Sequence, residues 1–289
     1  TVADPAAARH CSWLRRGMHV VSNNKAANGG GLAAYHALLE ARAAAKGSYQ
    51  YGATVGGAAL PIVATLQSLQ STGDDVRQVE GVISAALSYI FNPSPVEVPF
   101  SQALGEAVEL GLLDARELRD HLTGVDAARR ALILGRELGL ELNDTDVCVA
   151  PVLLLAEIGG GGGGKGLDLD VVVLALDNAV SGSIAAARQR GNVLRYVCSV
   201  DAEAGSAAAG VREVPAGHDF GRLRGASFCV RYLTKGKKQN GAGSVAAAAE
   251  ALAPLPPPLV LRGPVGGAPA TASAMFADLV RVARDVGAR

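Results

Sequence analysis

Side chains suited to proton transfer or charge binding are concentrated between residues 120 and 130. They are Asp120, His121, Asp126, Arg129 and Arg130. Thr123, followed three residues later by Asp126, is a capping-box-like pattern that predicts a helix start. Asp126 and Arg130 share one face of that helix because they lie four residues apart, and free amides at a helix N-terminus favour anions. In an arbitrary protein, this pattern is most often a solvated helix cap with an ion pair.

The surrounding sequence predicts the elements that position these side chains. Periodic apolar residues predict helices, and short runs rich in β-branched residues predict strands. We expect helix-ending glycines at Gly47, Gly73 and Gly139. The predicted helices are 1–17, 31–47, 62–74, 100–111, 124–138 and 270–287, and the predicted strands are 19–24, 76–84, 167–177, 193–200, 228–234 and 258–263. Irregular segments are expected as a turn over 235–240, a glycine-rich insertion over 159–166 and a linker over 241–258.

Composition narrows the class of protein. The 289 residues are 49% hydrophobic and carry no formal net charge, which favours a globular fold and argues against nucleic acid or an anionic membrane as partner. Aromatic residues make up only 4%, so base-stacking surfaces are not expected either. The four cysteines have no C-x-x-C spacing, which fits a reducing compartment and excludes an obvious zinc site.

Six sequence blocks occur in the order found in one known family. The blocks are GMHVVSNNKAAN (17–28), YGATVGGAALPI (51–62), GVISAALSYIFN (81–92), GLLDARELRDHLTGVDAARR (111–130), NVLRYVCSVDA (192–202) and LVLRGPVGGAPATASAMFADLVR (259–281). They resemble GxHVVTPNKKAN, YEATVGAGLPI, GIxSGTLSYIFN, GYTEPDPRDDLSGxDVARK, VLRYV and RGxGAGxxVTAxxxFxDLLR of the homoserine dehydrogenases. The chain is most similar to the dehydrogenase part of the bifunctional aspartate kinase–homoserine dehydrogenases of plants and bacteria.

The resemblance implies an α/β fold in two main parts. Residues 1–50 are expected to be the C-terminal part of a Rossmann-like dinucleotide-binding lobe. Residues 51–258 are expected to be an α+β substrate and dimerisation domain, with a mixed sheet covered by helices. Residues 259–289 should add a return strand and helix that pack on the first lobe. Because no G-x-G-x-x-G run here follows a strand and opens a helix, the resemblance implies a chain truncated at its N-terminus.

The resemblance also implies an activity. The family moves a hydride between a nicotinamide cofactor, NADP or NAD, and the carbonyl of L-aspartate 4-semialdehyde, which gives the small-molecule substrate L-homoserine of threonine and methionine biosynthesis. The positions implied are Lys25 and Arg130 as catalytic residues, Asp114, Asp120 and Asp126 as substrate-binding residues, Asn24, Lys25, Gly111 and Gly267 as cofactor-binding residues, and Val55 and Gly57 at a monovalent cation. A homodimer or larger homo-oligomer is implied too, in a soluble protein of the plastid in a plant or alga and of the cytoplasm elsewhere.

Several polar positions depart from the family pattern. Arg130 replaces a lysine, and since arginine does not lose its proton, we expect it to clamp a carboxylate and leave Lys25 as the only acid–base group. His121 replaces an aspartate, and Gly52 replaces a glutamate of the cation site. The other replacements are Ala86 for threonine, Leu112 for tyrosine and Asp114 for glutamate. The first hypothesis is therefore a homoserine dehydrogenase that is impaired as this fragment. One alternative is a non-catalytic relative that serves as a folded dimerising or regulatory module, and the other is a member of a different dinucleotide-dependent class.

Overall fold

A computed structural model describes residues 5–56, 60–92, 98–114, 117–152, 169–237, 256–264 and 267–287. The helices are α1 (Pro5–Arg15), α2 (Lys25–Asn28), α3 (Leu32–Ala44), α4 (Ile62–Ser71), α5 (Ala85–Ile90), α6 (Phe100–Glu109), α7 (Leu118–Leu122), α8 (Val125–Glu137), α9 (Leu169–Gln189) and α10 (Gly267–Asp285). The strands are β1 (Val20–Val21), β2 (Tyr49–Gln50), β3 (Asp74–Val82), β4 (Val147–Val149), β5 (Asn192–Asp201), β6 (Ser206–Pro215), β7 (Ser227–Lys237) and β8 (Leu259–Pro264).

The N-terminal residues form a small α/β unit. Strands β1 and β2 pair in parallel, with Val20 opposite Tyr49. Parallel strands need a crossover connection, and α2 and α3 lie in this one. Helices α1 and α3 pack together and bury Leu14 and Leu38. This arrangement agrees with the partial Rossmann-like lobe that the resemblance implies.

The described residues after β2 include a six-stranded mixed sheet. Its order is β4-β6-β5-β3-β7-β8, with β4 and β6 parallel and the other neighbours antiparallel. Because successive side chains of a strand point to opposite faces, Val79, Tyr196 and Val230 share one face and join the main apolar core. Helices α4, α5, α8 and α9 cover that face. The expected mixed sheet covered by helices is therefore confirmed.

The opposite face of the sheet is covered differently. Val82, Val197 and Cys229 form a smaller apolar cluster there with Phe220 and Leu223, which lie in the segment between β6 and β7. The segment between β6 and β7 thus covers this face of the sheet, whereas helices cover the other face.

Two of the three predicted helix-ending glycines are confirmed. Gly73 and Gly139 have φ values of +86° and +85° and follow the C-caps of α4 and α8. The prediction for Gly47 is wrong, because α3 already ends at Ala44 and Gly47 has no positive φ. A Cβ atom on Gly47 would clash with the Met18 carbonyl oxygen, so glycine is required there for a close approach of two backbone segments.

Two strand predictions are wrong or incomplete. The β-branched residues of segment 167–177 predict a strand, whereas the family that the chain resembles has a helix there. The structure has a helix, because α9 begins at Leu169 and places Leu176 and Val180 against the core. Tertiary packing outweighs local propensity there. The alanine-rich β6 was not predicted, because alanine has low strand propensity; it forms because it pairs with β5 along its whole length. Residues 235–237 of the expected turn extend β7 instead.

Helix α10 returns to the N-terminal unit. It contacts β1 and the short 3₁₀ turn Gly52–Thr54. The domain boundaries at residues 50 and 258 stay a prediction. The insertion 159–166 lies outside the described residues, as does most of the linker 241–258, and within the described residues no helix combines the length and apolar character that crossing a membrane requires.

Candidate active site

The entry into α8 places Asp126. Gly124 precedes the helix with φ +80°, and a Cβ atom there would lie 2.6 Å from Tyr196 Oη. Only glycine fits this sharp turn without strain. The predicted capping box is wrong: Thr123 Oγ1 donates to the Arg119 carbonyl at 2.7 Å and closes α7 instead of capping α8.

The Asp126 carboxylate lies between two cations. Lys25 Nζ is 3.1 Å from Oδ1, and Arg130 Nη2 and Nε are 2.8 and 2.9 Å from Oδ2. The Asp126 side chain is only 10% exposed. The predicted pair of Asp126 and Arg130 is thus present, but its interpretation as a solvated cap is wrong because both side chains are largely buried.

Arg130 also links the site to the sheet. Its Nη1 donates to the Ile83 carbonyl at 2.9 Å, directly after β3. Within the described part of the chain, three of its five N–H groups therefore bind protein atoms, and two have no protein partner. Its role as a carboxylate clamp stays a prediction.

Lys25 comes from a distant part of the chain. It is the first residue of α2, and Asn24 caps this helix by accepting a hydrogen bond from the Ala26 amide at 2.8 Å. The cap fixes the start of the helix and so directs Lys25 toward Asp126. The side-chain oxygen Oδ1 of Asn24 accepts the capping hydrogen bond. The predicted contact of Asn24 with the cofactor would therefore involve its side-chain nitrogen Nδ2.

The electrostatics of the cluster suit proton chemistry. The positive charge of Arg130, together with burial, lowers the pKa of Lys25 below its ordinary value, while Asp126 opposes the shift. Burial alone would raise the pKa of Asp126, but Arg130, Lys25 and His121 hold it well below its usual range. Asp126 is therefore ionised at neutral pH, and Lys25 loses its proton more easily than a surface lysine.

A cavity of about 280 Å³ opens on this cluster. The predicted site residues that line it are Lys25, Gly111, Asp114, Asp126, Arg130 and Gly267. Gly111 and Gly267 have φ values of +67° and +55°, and a Cβ atom on Gly267 would lie 3.2 Å from the Gly111 carbonyl oxygen. The two glycines therefore form a stretch of wall without side chains.

Asp120 and Asn24 lie apart from this group. They line an adjoining cavity of about 340 Å³, which Lys25 and Asp126 also border. Asp120 is 48% exposed and pairs with Arg129 at 3.4 Å. The structure thus gathers most of the predicted residues around one cavity and leaves these two next to it.

Three residues that border both cavities were not predicted as site residues. They are Asn23, Glu117 and His121. His121 stands in the charged cluster and replaces a family aspartate, so the sequence did contain a signal for it. Glu117 had no comparable signal, because a single glutamate before a helix is common.

The predicted monovalent-cation site stays a prediction. Val55 is fully buried, and Gly57 lies outside the described residues. Within the described part of the chain, no three side chains of His, Cys, Asp or Glu group together as a metal site would need. A Cβ atom on Gly52, where the family has glutamate, would lie 3.6 Å from Asp278 Oδ2.

Comparison with known proteins points to one family. The sequence family described as homoserine dehydrogenase matches residues 61–280. The bifunctional aspartokinase/homoserine dehydrogenase 2 of Zea mays, a chloroplastic protein, is 34% identical over 287 residues, which are 99% of this chain and 29% of that protein. The homoserine dehydrogenase of Emericella nidulans is 30% identical over 97% of this chain and 73% of that protein. The chain thus spans less than a third of the maize relative.

A solved structure shares the fold. A hyperthermophilic archaeal homoserine dehydrogenase in complex with NADPH superposes with a TM-score of 0.63 over 97% of this chain and 69% of that chain. Its sequence identity is 19%, so this likeness concerns the fold alone.

Proposed function

The chain belongs to the homoserine dehydrogenase family, and we propose that it interconverts L-homoserine and L-aspartate 4-semialdehyde with NADP or NAD. The proposal rests on one observation: Lys25, Asp126 and Arg130 line the same cavity. These residues come from α2 and α8, which are distant in sequence, and a structural ion pair alone would not require a cavity beside it.

The cavity wall formed by Gly111 and Gly267 fits a nicotinamide ring. A flat ring can approach a backbone that carries no side chains. Apart from the chain neighbours of Gly111, no atom of the described residues lies within 4 Å of the place where its Cβ would be. When bound, the cofactor supplies or takes the hydride. The archaeal homoserine dehydrogenase in complex with NADPH supports a nicotinamide cofactor, and the proposal covers both NADP and NAD.

The other side chains bind and polarise the substrate. Lys25 acts at the carbonyl oxygen, where an ammonium group stabilises the negative charge that develops as hydride arrives. The remaining N–H groups of Arg130 hold the substrate carboxylate. The carboxylates assigned to the substrate ammonium group are Asp114, Asp120 and Asp126.

The proposal has three further parts. A monovalent cation binds near Val55 and Gly57, as the resemblance implies. The chain works as a homodimer or larger homo-oligomer, which light scattering in solution would test. In a plant or alga it acts in the plastid, as the chloroplastic name of the maize relative suggests.

The test is oxidation of L-homoserine by the purified chain with NADP⁺ and, separately, NAD⁺. We expect slow turnover, because Arg130 and His121 replace family residues. Asp126→Ala should abolish turnover, whereas Glu80→Gln, which alters a carboxylate on the opposite face of the sheet, should leave it intact. If calorimetry also shows no L-homoserine binding by the unaltered chain, the proposal is wrong and the non-catalytic alternative stands.

A further inference from the structure

His121 has an unusual environment for a buried histidine. It lies in α7 and is 7% exposed. Its Nδ1 atom is shielded from solvent without a hydrogen-bond partner, whereas Nε2 is not among such atoms in the described part of the chain. Buried polar atoms are nearly always satisfied, so an exception at the border of two cavities points to a role in ligand chemistry.

The position of Asp126 indicates which nitrogen of the His121 ring carries the proton. Asp126 Oδ2 lies 3.9 Å from His121 Nδ1, somewhat beyond hydrogen-bond length. Such contacts are often long before substrate binds. A carboxylate on this side favours the tautomer with the proton on Nδ1 and leaves the Nε2 lone pair free to accept a proton.

We propose that His121 is a further catalytic residue that accepts the hydroxyl proton of homoserine on Nε2 while Asp126 orients the ring through Nδ1–H. This inference rests on the proposed dehydrogenase function. The hydride leaves the hydroxyl-bearing carbon for the oxidised nicotinamide, and the O–H bond breaks. Its electron pair forms the second bond of the carbonyl group, and the proton moves to Nε2. Reduction of the aldehyde is the exact reverse.

The neighbouring cations explain why a second group is needed. Arg130 does not lose its proton. Lys25 forms an ion pair with Asp126, and in this charged form it stabilises the substrate oxygen. Although its pKa is lowered, it cannot accept a proton until it has lost its own. The sequence left Lys25 as the only acid–base group, and the structure adds His121.

The charged groups that face His121 set the pH range. Burial is the largest influence and lowers the pKa of His121 below its ordinary value. Asp126 and Glu117 oppose the shift, and Arg130 and Lys25 add to it. Neutral His121 is the form that accepts a proton, so homoserine oxidation should fall as the pH drops through this lowered pKa.

The first experiment is the pH profile of kcat/KM for L-homoserine oxidation. His121→Gln should lower kcat/KM by on the order of 10²-fold and remove the acid limb of the profile. The matched control is His36→Gln, because His36 is an exposed histidine paired with Glu141, and it should keep both rate and profile. If His121→Gln turns over normally with an unchanged acid limb, the inference is wrong while the proposed function stands.

A second experiment does not depend on turnover or on a variant that folds. The ¹⁵N shifts of the His121 ring in the unaltered chain should show the Nδ1–H tautomer and should change when L-homoserine is added. An Nε2–H tautomer, or shifts unaffected by saturating L-homoserine, would overturn the inference. Absence of L-homoserine oxidation with either cofactor would overturn the proposed function and this inference with it, whereas unchanged ring shifts in a chain that oxidises L-homoserine would overturn the inference alone.

Discussion

Asp126 and Glu80 are both nearly buried carboxylates held between two cations, yet their surroundings differ. Glu80 lies on the sheet face that α8 does not cover, and its oxygens are each 3.2 Å from a guanidinium nitrogen, of Arg212 and of Arg231. Its side chain is 10% exposed, as is that of Asp126. The burial of the carboxylate and the number of its cationic partners therefore do not separate the two sites.

The histidine beside each carboxylate does separate them. Next to Glu80, His218 Nε2 contacts Arg231 at 3.0 Å and its Nδ1 accepts a hydrogen bond from the Phe220 amide. Among the described residues, His121 Nδ1 has no hydrogen-bond partner, and His121 borders two cavities. Both ring nitrogens of His218 are thus in contact with protein atoms, whereas His121 is the histidine that lies beside space for a ligand.

The largest expected contrast comes from neutralising each carboxylate. Asp126→Asn leaves Lys25 and Arg130 without their anion in a buried place, which should cost roughly 3–5 kcal/mol. Glu80→Gln should cost less, because Arg212 is 47% exposed and solvent screens it. Urea unfolding measures both losses, and calorimetry should show that only Asp126→Asn abolishes L-homoserine binding. If both variants lost the same free energy of unfolding and both still bound L-homoserine, the proposed difference between the Asp126 and Glu80 sites would be wrong.

The next contrast concerns the cations. Lys25→Ala should lower kcat for L-homoserine oxidation by on the order of 10²-fold, because it removes stabilisation of the substrate oxygen. Arg212→Ala is the matched control and should leave kcat unchanged. Steady-state kinetics of the two variants test this. A Lys25→Ala variant as fast as the unaltered chain would contradict the catalytic role of Lys25.

A smaller effect should appear in the pH dependence of stability. The folded-state pKa of Asp126 is lowered, so its stabilisation is complete above the ordinary aspartate pKa of about 3.9 and is lost as the pH falls below it. The stability difference between the unaltered chain and Asp126→Asn should therefore shrink by roughly 2 kcal/mol on acidification. Unfolding curves across that range measure it. The Gly205→Ala variant, which changes no titrating group, should differ from the unaltered chain by a constant amount.

The smallest contrast compares two glycines with positive φ. Gly267 is at the cavity wall, and Gly205 is in the β5–β6 hairpin with φ +62° and no atom near its Cβ position. Alanine at either place should cost about 1 kcal/mol through left-handed strain. Gly267→Ala should also weaken NADPH binding, while Gly205→Ala should not, as a fluorescence titration would show. Equal NADPH affinities would contradict a cofactor contact at Gly267.

The sequence by itself determined much of this protein. Six ordered blocks identified the family, and the mixed sheet covered by helices followed from the resemblance. Local signals placed the ends of α4 and α8 at Gly73 and Gly139, because a left-handed residue after a helix requires only local chain chemistry. The pair of Asp126 and Arg130 was also predictable, since four residues always bring side chains onto one helix face.

Only the tertiary structure decided the rest. Lys25 reaches Asp126 across about a hundred residues of sequence, and no local pattern encodes such a contact. The N-cap of α8 is Gly124 and not the predicted Thr123. A side chain at position 124 would collide with Tyr196, which comes from a distant strand. The Asp126–Arg130 ion pair, which the sequence alone would place at the surface, is largely buried in the structure. In the described part of the chain, His121 Nδ1 is buried without a hydrogen-bond partner. Burial and the partners of a polar group arise from packing of distant elements, so they become visible only once the chain is folded.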